Sequence, residues 1–399
     1  MIYIVSGRGL AQRLEHLFEI FPELKPRIDL RIVPIESKTI YELDADYVRE
    51  IVEKLDERPT LIIVPFTVSD KVFTVNNVLI VPLKNLADAI PLAYFVQEND
   101  PESISGLTMR ELEKTLQEYK QHCERLVYSL RGRLSRVRGF VGATCRRALT
   151  GLPPLILSEI IDATVRDVDS VRKIAESYVN EGADGIDIGC RSGHPRPDRV
   201  REIAQALRRE YPDVLLSIDT FSLQEIEAAL PYVDIILSLT PSQLQECRLD
   251  LSDKGVVVIP DVSDDDLVLE RFSSAIEQAQ RLRCVPLLDP LLRPPLFGLA
   301  RSLCLYHRVR QSFPDTPTFM GVGNVTELID ADSTGLNALL AALAVELETD
   351  MVLTTEASVK TSGCVRELRT ALYMATVAKI LGKYPKDMSV SLLLAKSKY

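Results

Sequence analysis

The sequence lacks several features that would assign it to a common class. Its seven cysteines are an odd number and include no Cys-x-x-Cys pair, so neither a disulfide framework nor a zinc ribbon is expected. No apolar run approaches the roughly 18–20 residues that cross a bilayer, and the start MIYIVSGRG has no signal-peptide character. Basic residues number 47 against 57 acidic, a net charge of −10, which disfavours nucleic-acid binding through a global positive field. We expect a cytoplasmic protein.

The chain is long enough for more than one domain. Its 399 residues correspond to two or three domains at about 150 residues each. The first hundred residues alternate β-branched runs with amphipathic stretches. They predict strands at 1–5, 30–35, 61–64 and 78–81 and helices at 10–21 and 45–55. This pattern predicts a small α/β layered domain of the Rossmann or flavodoxin-like type over residues 1–105.

A basic helical connector is predicted over residues 106–152. Thr108 and Glu111 have capping-box spacing, which predicts the start of a long helix that continues to about Leu130. Between Arg125 and Arg147 there are seven arginines and no acidic residue. Two interpretations stay open, a solvated linker face and a contact with phosphate or a partner near the domain junction.

The region 153–399 has a regular rhythm of short apolar runs. They predict eight strands, at 156–161, 185–188, 215–218, 235–239, 256–259, 285–288, 318–322 and 351–353. The intervals are helical, as the apolar stripe from Val168 to Val179 shows. Eight buried strands joined by helical crossovers predict a TIM (β/α)8 barrel. An open doubly wound sheet is the alternative.

Polar residues follow nearly every predicted barrel strand, where the reactive groups of such barrels gather. The candidates are Glu159, Asp162, Asp187, Arg191, Asp219, Ser238, Asp261, Asp289, Asn324, Glu356 and Lys360. A single acid at this place is a good N-cap for the next helix. Several converging carboxylates raise one another's pKa unless a ligand supplies matching donors. A ring rich in N–H donors, such as a pterin or a guanine, would suit them.

Three motifs resemble those of one enzyme family. The segment Gly182-Ala-Asp-Gly-Ile-Asp-Ile-Gly189 resembles the second-strand motif of dihydropteroate synthases, Ser217-Ile-Asp-Thr220 the third-strand motif, and Leu288-Asp-Pro290 the sixth-strand motif. Their order and spacing agree, so the resemblance covers roughly residues 153–382. With its upstream domain, the chain resembles the dihydropteroate synthase-related proteins of organisms that use tetrahydromethanopterin.

The resemblance implies a function and site residues. Asp219 and Asp289 correspond to the pterin-recognising carboxylates, and Asp187 either joins them or is structural. A carboxylate can accept two parallel hydrogen bonds from the ring N–H and amino group of a pterin. The implied transferase reaction condenses a dihydropterin diphosphate with an arylamine, with Mg²⁺ as helper, in folate-like or tetrahydromethanopterin biosynthesis. The habit of the family further implies a homodimer.

The chain also departs from the family pattern. Ser158-Glu-Ile-Ile-Asp162 replaces the family's asparagine-containing first loop, and the asparagine after the fourth strand has no clear match. The basic residues after the seventh and eighth strands, which meet diphosphate and arylamine in the family, are absent. Arg191 and Lys360 are candidates to replace the phosphate contacts; for Lys360 a helix N-cap position is equally open.

One departure points toward a different reaction. The segment Gly321-Val-Gly-Asn-Val325 resembles pterin-dependent methyltransferases that deliver a methyl group to a corrinoid protein, and implies that Asn324 faces the pterin N5 edge. Methyl transfer and non-catalytic pterin binding are therefore the alternatives. A metal or nucleophilic role for Cys190 with His194 is disfavoured, because no further ligand lies nearby in sequence. Ser6-Gly-Arg-Gly9 is either a turn or an anion cradle.

Overall fold

The computed structural model describes residues 1–6, 17–19, 22–34, 45–55, 57–65, 68–83, 88–128, 153–386 and 392. It has two compact units, one formed by Met1–Val127 with Val377–Tyr399 and the other by Tyr128–Thr376. The predicted domain boundaries stay predictions. Gly7–Gly9, most of the predicted helix 10–21 and nearly all of the arginine-rich segment lie outside the described residues. Within the described part, none of the helices is long and apolar enough to span a bilayer.

The first unit contains a five-stranded sheet. Its strands are β1 (Ile2–Ser6), β2 (Leu30–Pro34), β3 (Leu61–Pro65), β4 (Phe73–Val75) and β5 (Val78–Leu83), in the order β2-β1-β3-β5-β4. All neighbours are parallel except β4 and β5. Asn76 and Asn77 join that pair with positive φ angles of 50° and 63°, as a two-residue hairpin of type I′ requires. The sequence patterns predicted the four parallel strands and missed β4.

Four helices accompany this sheet. They are α1 (Ala45–Lys54), α2 (Ala89–Glu98), α3 (Met109–Thr115) and α4 (Gln117–Tyr128). The predicted capping box is confirmed, because the Thr108 side chain accepts from the Glu111 backbone N–H while the Glu111 carboxylate accepts from the Thr108 backbone N–H. The predicted long helix is divided at Leu116, whose N–H still bonds to the Leu112 carbonyl.

The second unit is the predicted barrel. Its strands are β6 (Leu155–Ile160), β7 (Gly185–Gly189), β8 (Leu215–Asp219), β9 (Ile235–Leu239), β10 (Gly255–Val258), β11 (Val285–Leu288), β12 (Phe319–Gly321) and β13 (Met351–Thr355). Each lies within two residues of its predicted range, and all pair in parallel in the order β11-β10-β9-β8-β7-β6-β13-β12. A parallel bridge between Leu288 and Thr318 joins the two end strands. This closure favours the barrel over the open-sheet alternative.

Helices follow the strands around the barrel. They are α5 (Val168–Glu181), α6 (Pro197–Glu210), α7 (Leu223–Ala229), α8 (Pro241–Glu246), α9 (Asp265–Leu282), α10 (Leu299–Ser312), α11 (Gly323–Thr326), α12 (Ser333–Glu346) and α13 (Cys364–Leu381). Alternate strand residues point to opposite faces, so Leu157, Leu215 and Leu237 fill the barrel interior. Ile186 and Ile218 pack outward against the helices.

The amino-terminal ends of three strands share one ion-pair arrangement, which is buried at Asp184 and Asp350 and partly exposed at Asp234. The pairs are Asp184 with Arg369, Asp234 with Arg208, and Asp350 with Arg310. Each aspartate directly precedes a strand and also accepts a backbone N–H near the start of the adjacent strand, at 2.8–2.9 Å. Each aspartate therefore has both an arginine and a backbone N–H as partners, which avoids the cost of a buried charge without a partner. This arrangement pins neighbouring strands together at the end opposite the candidate site.

Candidate functional site

Three carboxylates from consecutive strands meet at the carboxyl end of the barrel. Strand register places Glu159 on β6 beside Asp187 on β7, and Gly189 beside Asp219 on β8. One oxygen from each of the three carboxylates lies within 4.8 Å of the other two. We call Glu159, Asp187 and Asp219 the carboxylate cluster. Parallel strands with aligned ends thus bring together side chains that are up to 60 residues apart in sequence.

Asp187 is the deepest member of the cluster. Its side chain is fully buried, and its Oδ1 accepts a hydrogen bond of 2.5 Å from the Ser217 hydroxyl. Its Oδ2 is buried without a hydrogen-bond partner. Burial, followed by the charges of Asp219 and Glu159, raises the pKa of Asp187 well above its usual value, against a smaller lowering by Ser217. Asp187 therefore holds a proton or has a cationic ligand, because an isolated buried carboxylate is costly.

Glu159 lies beside Asp187 in the strand register and is less buried than Asp187. Burial raises its pKa to about 7, with further contributions from Asp219 and Asp162. Its side chain lies over Gly189, where an added Cβ would come within 2.5 Å of Glu159 Oε1. The glycine after the second-strand aspartate therefore leaves the space that the glutamate occupies.

Asp219 ends the third barrel strand and is partly exposed. Burial raises its pKa, and a hydrogen bond with the Ser238 side chain lowers it. Ser238 has a left-handed backbone, with φ of 69°, and the pairing of β9 with β10 shifts register at this place. Such an irregularity changes the direction of a side chain, and here the Ser238 side chain reaches Asp219 on the neighbouring strand β8.

Asp289 follows the sixth barrel strand and is 5% exposed. Its Oδ1 accepts hydrogen bonds from the Tyr306 hydroxyl at 2.5 Å and from the Leu291 backbone N–H at 2.8 Å. Burial raises the pKa of Asp289 to about 6, partly offset by these two donors. No described residue donates to Oδ2, so this oxygen is free to accept from a ligand.

Asn324 follows the seventh strand, in α11, at the same end of the barrel. Its Nδ2 donates to the Leu292 carbonyl oxygen at 3.0 Å, so it contacts the loop that also binds Asp289. An added Cβ on Gly321 would lie 3.3 Å from Nδ2. The Asn324 amide is thus oriented by one hydrogen bond, and no described residue donates to its Oδ1.

The two cations proposed to meet phosphate are both engaged. Arg191 donates from Nε and Nη2 to the two oxygens of Asp162, at 3.1 and 2.5 Å. Lys360 donates to the Ile329 carbonyl oxygen at 3.0 Å and to Asp330 at 3.2 Å. Their phosphate role stays a prediction, and each would have to share or exchange its partner to fulfil it.

Two further acids have partners away from the cluster. Glu356 accepts from the Val365 backbone N–H at 3.0 Å, so it satisfies a donor at the start of α13. Asp261 accepts from the Ser242 hydroxyl at 2.6 Å and lies 3.8 Å from Arg271 Nε. Cys190 and His194 are not part of the one grouping of three or more metal-ligand side chains found among the described residues.

The structure adds residues that the sequence reasoning missed. Ser217 and Tyr306 donate to Asp187 and Asp289. Ser217 lies in the recognised third-strand motif, whereas no sequence signal links Tyr306 to a residue 17 positions earlier.

A second missed feature is a rim of exposed apolar side chains on the segments that follow the barrel strands. Its members are Val165, Phe221, Leu223, Leu267, Leu296, Phe297, Leu328 and Val359. Phe297 is 76% and Val359 96% exposed. We call this set the apolar rim. Exposed apolar side chains that form a contiguous patch are typical of a surface that binds a partner or an apolar ligand.

Part of this barrel is similar to a described family. Residues 158–242 match the family described as pterin binding enzyme, a range that includes Glu159, Asp187 and Asp219. An uncharacterised protein of Methanocaldococcus jannaschii is 31% identical over 262 residues, which are 62% of this chain and 49% of that protein. A folic acid synthesis protein of Pneumocystis carinii is 32% identical over 102 residues, 23% of this chain and 13% of that protein. The chain thus spans about half or less of these relatives.

Two dihydropteroate synthases are among the solved structures that are similar to this chain. The Yersinia pestis DHPS with a pterine-sulfa conjugate is 18% identical, covers 57% of this chain and 94% of its own, and has a TM-score of 0.45. The 7,8-dihydropteroate synthase of Vibrio fischeri is 18% identical, covers 57% of this chain and 93% of its own, with a TM-score of 0.44.

Proposed function

We propose that this pterin-binding barrel of the dihydropteroate synthase-like kind is a transferase that condenses a dihydropterin diphosphate with an arylamine. Residues 158–242 match the family described as pterin binding enzyme, which supports the resemblance of the second-strand and third-strand motifs. The observation that carries the proposal is the set of buried and half-buried carboxylates at the mouth, with Asp219 on β8 and Asp289 after β11. The pathway would be folate-like or tetrahydromethanopterin biosynthesis, in the cytoplasm.

Asp219 and Asp289 would recognise the pterin. Each presents a carboxylate oxygen that no backbone N–H occupies, while Asp289 is oriented by Tyr306 and Leu291. The ring N–H and amino group of a 2-amino-4-oxopterin are matching donors, and charge-assisted pairs of this kind supply orientation as well as affinity. Asn324 would bind the other edge of the ring through its free amide oxygen.

The reaction requires that the two substrates be positioned correctly, and it does not require a nucleophilic side chain. The arylamine nitrogen attacks the methylene carbon of the pterin as the C–O bond breaks. Diphosphate departs with the bonding electron pair, and the nitrogen loses a proton. Holding the two reactants in line converts a bimolecular step into an effectively unimolecular one, and neutralising the developing diphosphate charge lowers the barrier. Arg191, which forms an ion pair with Asp162 after β6, is a proposed cation for this charge.

Methyl transfer from an N5-methyl pterin to a corrinoid protein is the second candidate. The apolar rim favours it, because exposed apolar groups around a mouth suit docking of a second macromolecule. Asn324 would then contact the pterin near N5, and an acid of the mouth would support protonation there. A third candidate, pterin binding without turnover, agrees with the absence of the family's basic residues after β12 and β13.

The experiment is a turnover assay on the purified full chain. The protein is incubated with hydroxymethyl-dihydropterin diphosphate and 4-aminobenzoate as the probe arylamine, and released diphosphate and pteroate product are quantified. Equal release of both supports the synthase. Methyl transfer from methylated pterin to free cobalamin, without diphosphate chemistry, supports the second candidate, and tight pterin binding with neither reaction supports the third. Asp261→Asn serves as a control, because Asp261 lies outside the carboxylate cluster.

A further inference from the structure

The carboxylate cluster contains more negative charge than its surroundings balance. Glu159, Asp187 and Asp219 make no ion pair with lysine or arginine among the described residues, and Arg191 is taken up by Asp162. Something other than a protein cation must compensate the cluster when it is ionised.

The spacing of the carboxylate oxygens indicates that a bound metal ion compensates this charge. The three ligand oxygens lie within 4.8 Å of one another, a spacing that one ion at bonds of about 2.0–2.6 Å can bridge. The fully buried Asp187 keeps Oδ2 without a hydrogen-bond partner. In a folded protein an orphan buried oxygen of this kind calls for an unseen partner, since most such groups are satisfied.

We propose that Glu159, Asp187 and Asp219 bind one divalent hard cation of the Mg²⁺ or Mn²⁺ class. The donor set consists of oxygens alone, which is the preference of these ions, whereas zinc and copper favour nitrogen and sulfur. Asp219 has two oxygens, so a bond from one to the cation leaves the other for the pterin. Gly189 has no side chain and so leaves room for the Glu159 carboxylate, because an added Cβ would come within 2.5 Å of Glu159 Oε1.

The cation would help to bind diphosphate in the reaction, and this role rests on the proposed function. Both candidate phosphate-binding cations are engaged, Arg191 by Asp162 and Lys360 by Asp330. A divalent ion would supply positive charge for diphosphate where this chain lacks the family's basic residues. Mg²⁺ commonly combines one or two carboxylates with substrate phosphates. Cation binding itself requires no pterin and can be measured without turnover.

The test is Mn²⁺ binding to the full chain, followed by the loss of the free-ion electron paramagnetic resonance signal at pH 8. We expect one ion per chain, and a loss of affinity of more than about tenfold in Glu159→Gln and in Asp187→Asn, since even outer-shell changes cost about 10–100-fold. Asp315→Asn is the matched control and should bind as wild type, because Asp315 is exposed in the segment before β12, at the opposite end of the barrel. Mg²⁺ should displace the Mn²⁺.

Two further readouts keep the outcomes distinct. Thermal unfolding of each variant establishes that it folds. If Asp187→Asn does not fold, Glu159→Gln alone tests the site. A wild-type protein that leaves millimolar Mn²⁺ free, or folded cluster variants that bind like wild type, would overturn the site. A parallel pterin titration separates the two proposals. Mn²⁺ binding without pterin binding upholds the cation site and contradicts the function, and pterin binding without Mn²⁺ binding does the reverse.

Discussion

The hydroxyl of Tyr306 donates to Oδ1 of Asp289 at 2.5 Å, inside the barrel unit. Both side chains are buried, Tyr306 at 2% and Asp289 at 5% exposure. The hydroxyl lowers the pKa of Asp289, but burial outweighs it and leaves that pKa at about 6. Tyr306 therefore helps to keep Asp289 ionised, which is the form that accepts hydrogen bonds from a pterin.

This pair predicts a pH dependence of pterin binding. Protonation removes the acceptor, so affinity should fall as pH drops below about 6, by about tenfold per pH unit where only this group titrates. Tyr306→Phe removes a donor to the carboxylate and should move the midpoint of the fall to higher pH. Isothermal titration between pH 5 and 8 checks the shift. Tyr211→Phe, a tyrosine at the end of α6, is the control, and an unchanged midpoint in Tyr306→Phe would contradict the assigned role.

Gly189 should tolerate no side chain. In Gly189→Ala the new Cβ would meet Glu159 Oε1 at 2.5 Å and the Ile160 carbonyl oxygen at 3.0 Å. We expect destabilisation by about 1–3 kcal/mol from overpacking and weaker Mn²⁺ binding, because Glu159 must move. Gly335→Ala is the comparison, since its Cβ would meet nothing within 4 Å. Denaturant unfolding of both variants measures the difference. Equal stability would mean that the loop after β7 relaxes freely.

The buried pair at the other end of the barrel should govern stability without affecting the site. Arg369 is 1% exposed, ion-pairs with Asp184 and donates to the Gly182 carbonyl oxygen at 2.9 and 2.7 Å. Arg369→Met leaves the Asp184 charge unpaired, at an expected cost of about 3–5 kcal/mol in the free energy of unfolding. The solvent-accessible pair of Arg172 with Glu210 should matter little to stability when Arg172→Met breaks it, because water and salt screen such a pair. Similar losses in both variants would show that burial does not set the cost.

The repeating strand pattern predicted the barrel accurately because parallel strands buried on both faces are continuous apolar runs. Ile235–Leu239 matches its predicted bounds, and β13 extends two residues beyond its prediction to Thr355. In the first unit, β4 is only three residues long, too short for a period-2 pattern to emerge. The hairpin residues Asn76 and Asn77 were the available signal.

The site was predictable only in part. Position after a strand placed Glu159, Asp187 and Asp219 at one end, because parallel strands end together. It did not predict their convergence within 4.8 Å, which depends on register and on the space above Gly189. Nor did it predict that Arg191 and Lys360 have acidic partners, since a side chain's partner depends on tertiary geometry. Tyr306 lies on a helix after the sixth strand and carries no motif.

The most direct measurement of the central claim is calorimetric titration of the full chain with a reduced 6-hydroxymethyl pterin, repeated on Asp219→Asn and Asp289→Asn. Each asparagine keeps the side-chain size and removes the charge that pairs with the pterin donors. We predict saturable binding to the wild type, loss of at least about tenfold in affinity in each variant because a charged hydrogen bond contributes about 1.5–3 kcal/mol, and unchanged binding in Asp261→Asn. Binding that both variants retain, or no binding to the wild type, would contradict a pterin site at this barrel mouth.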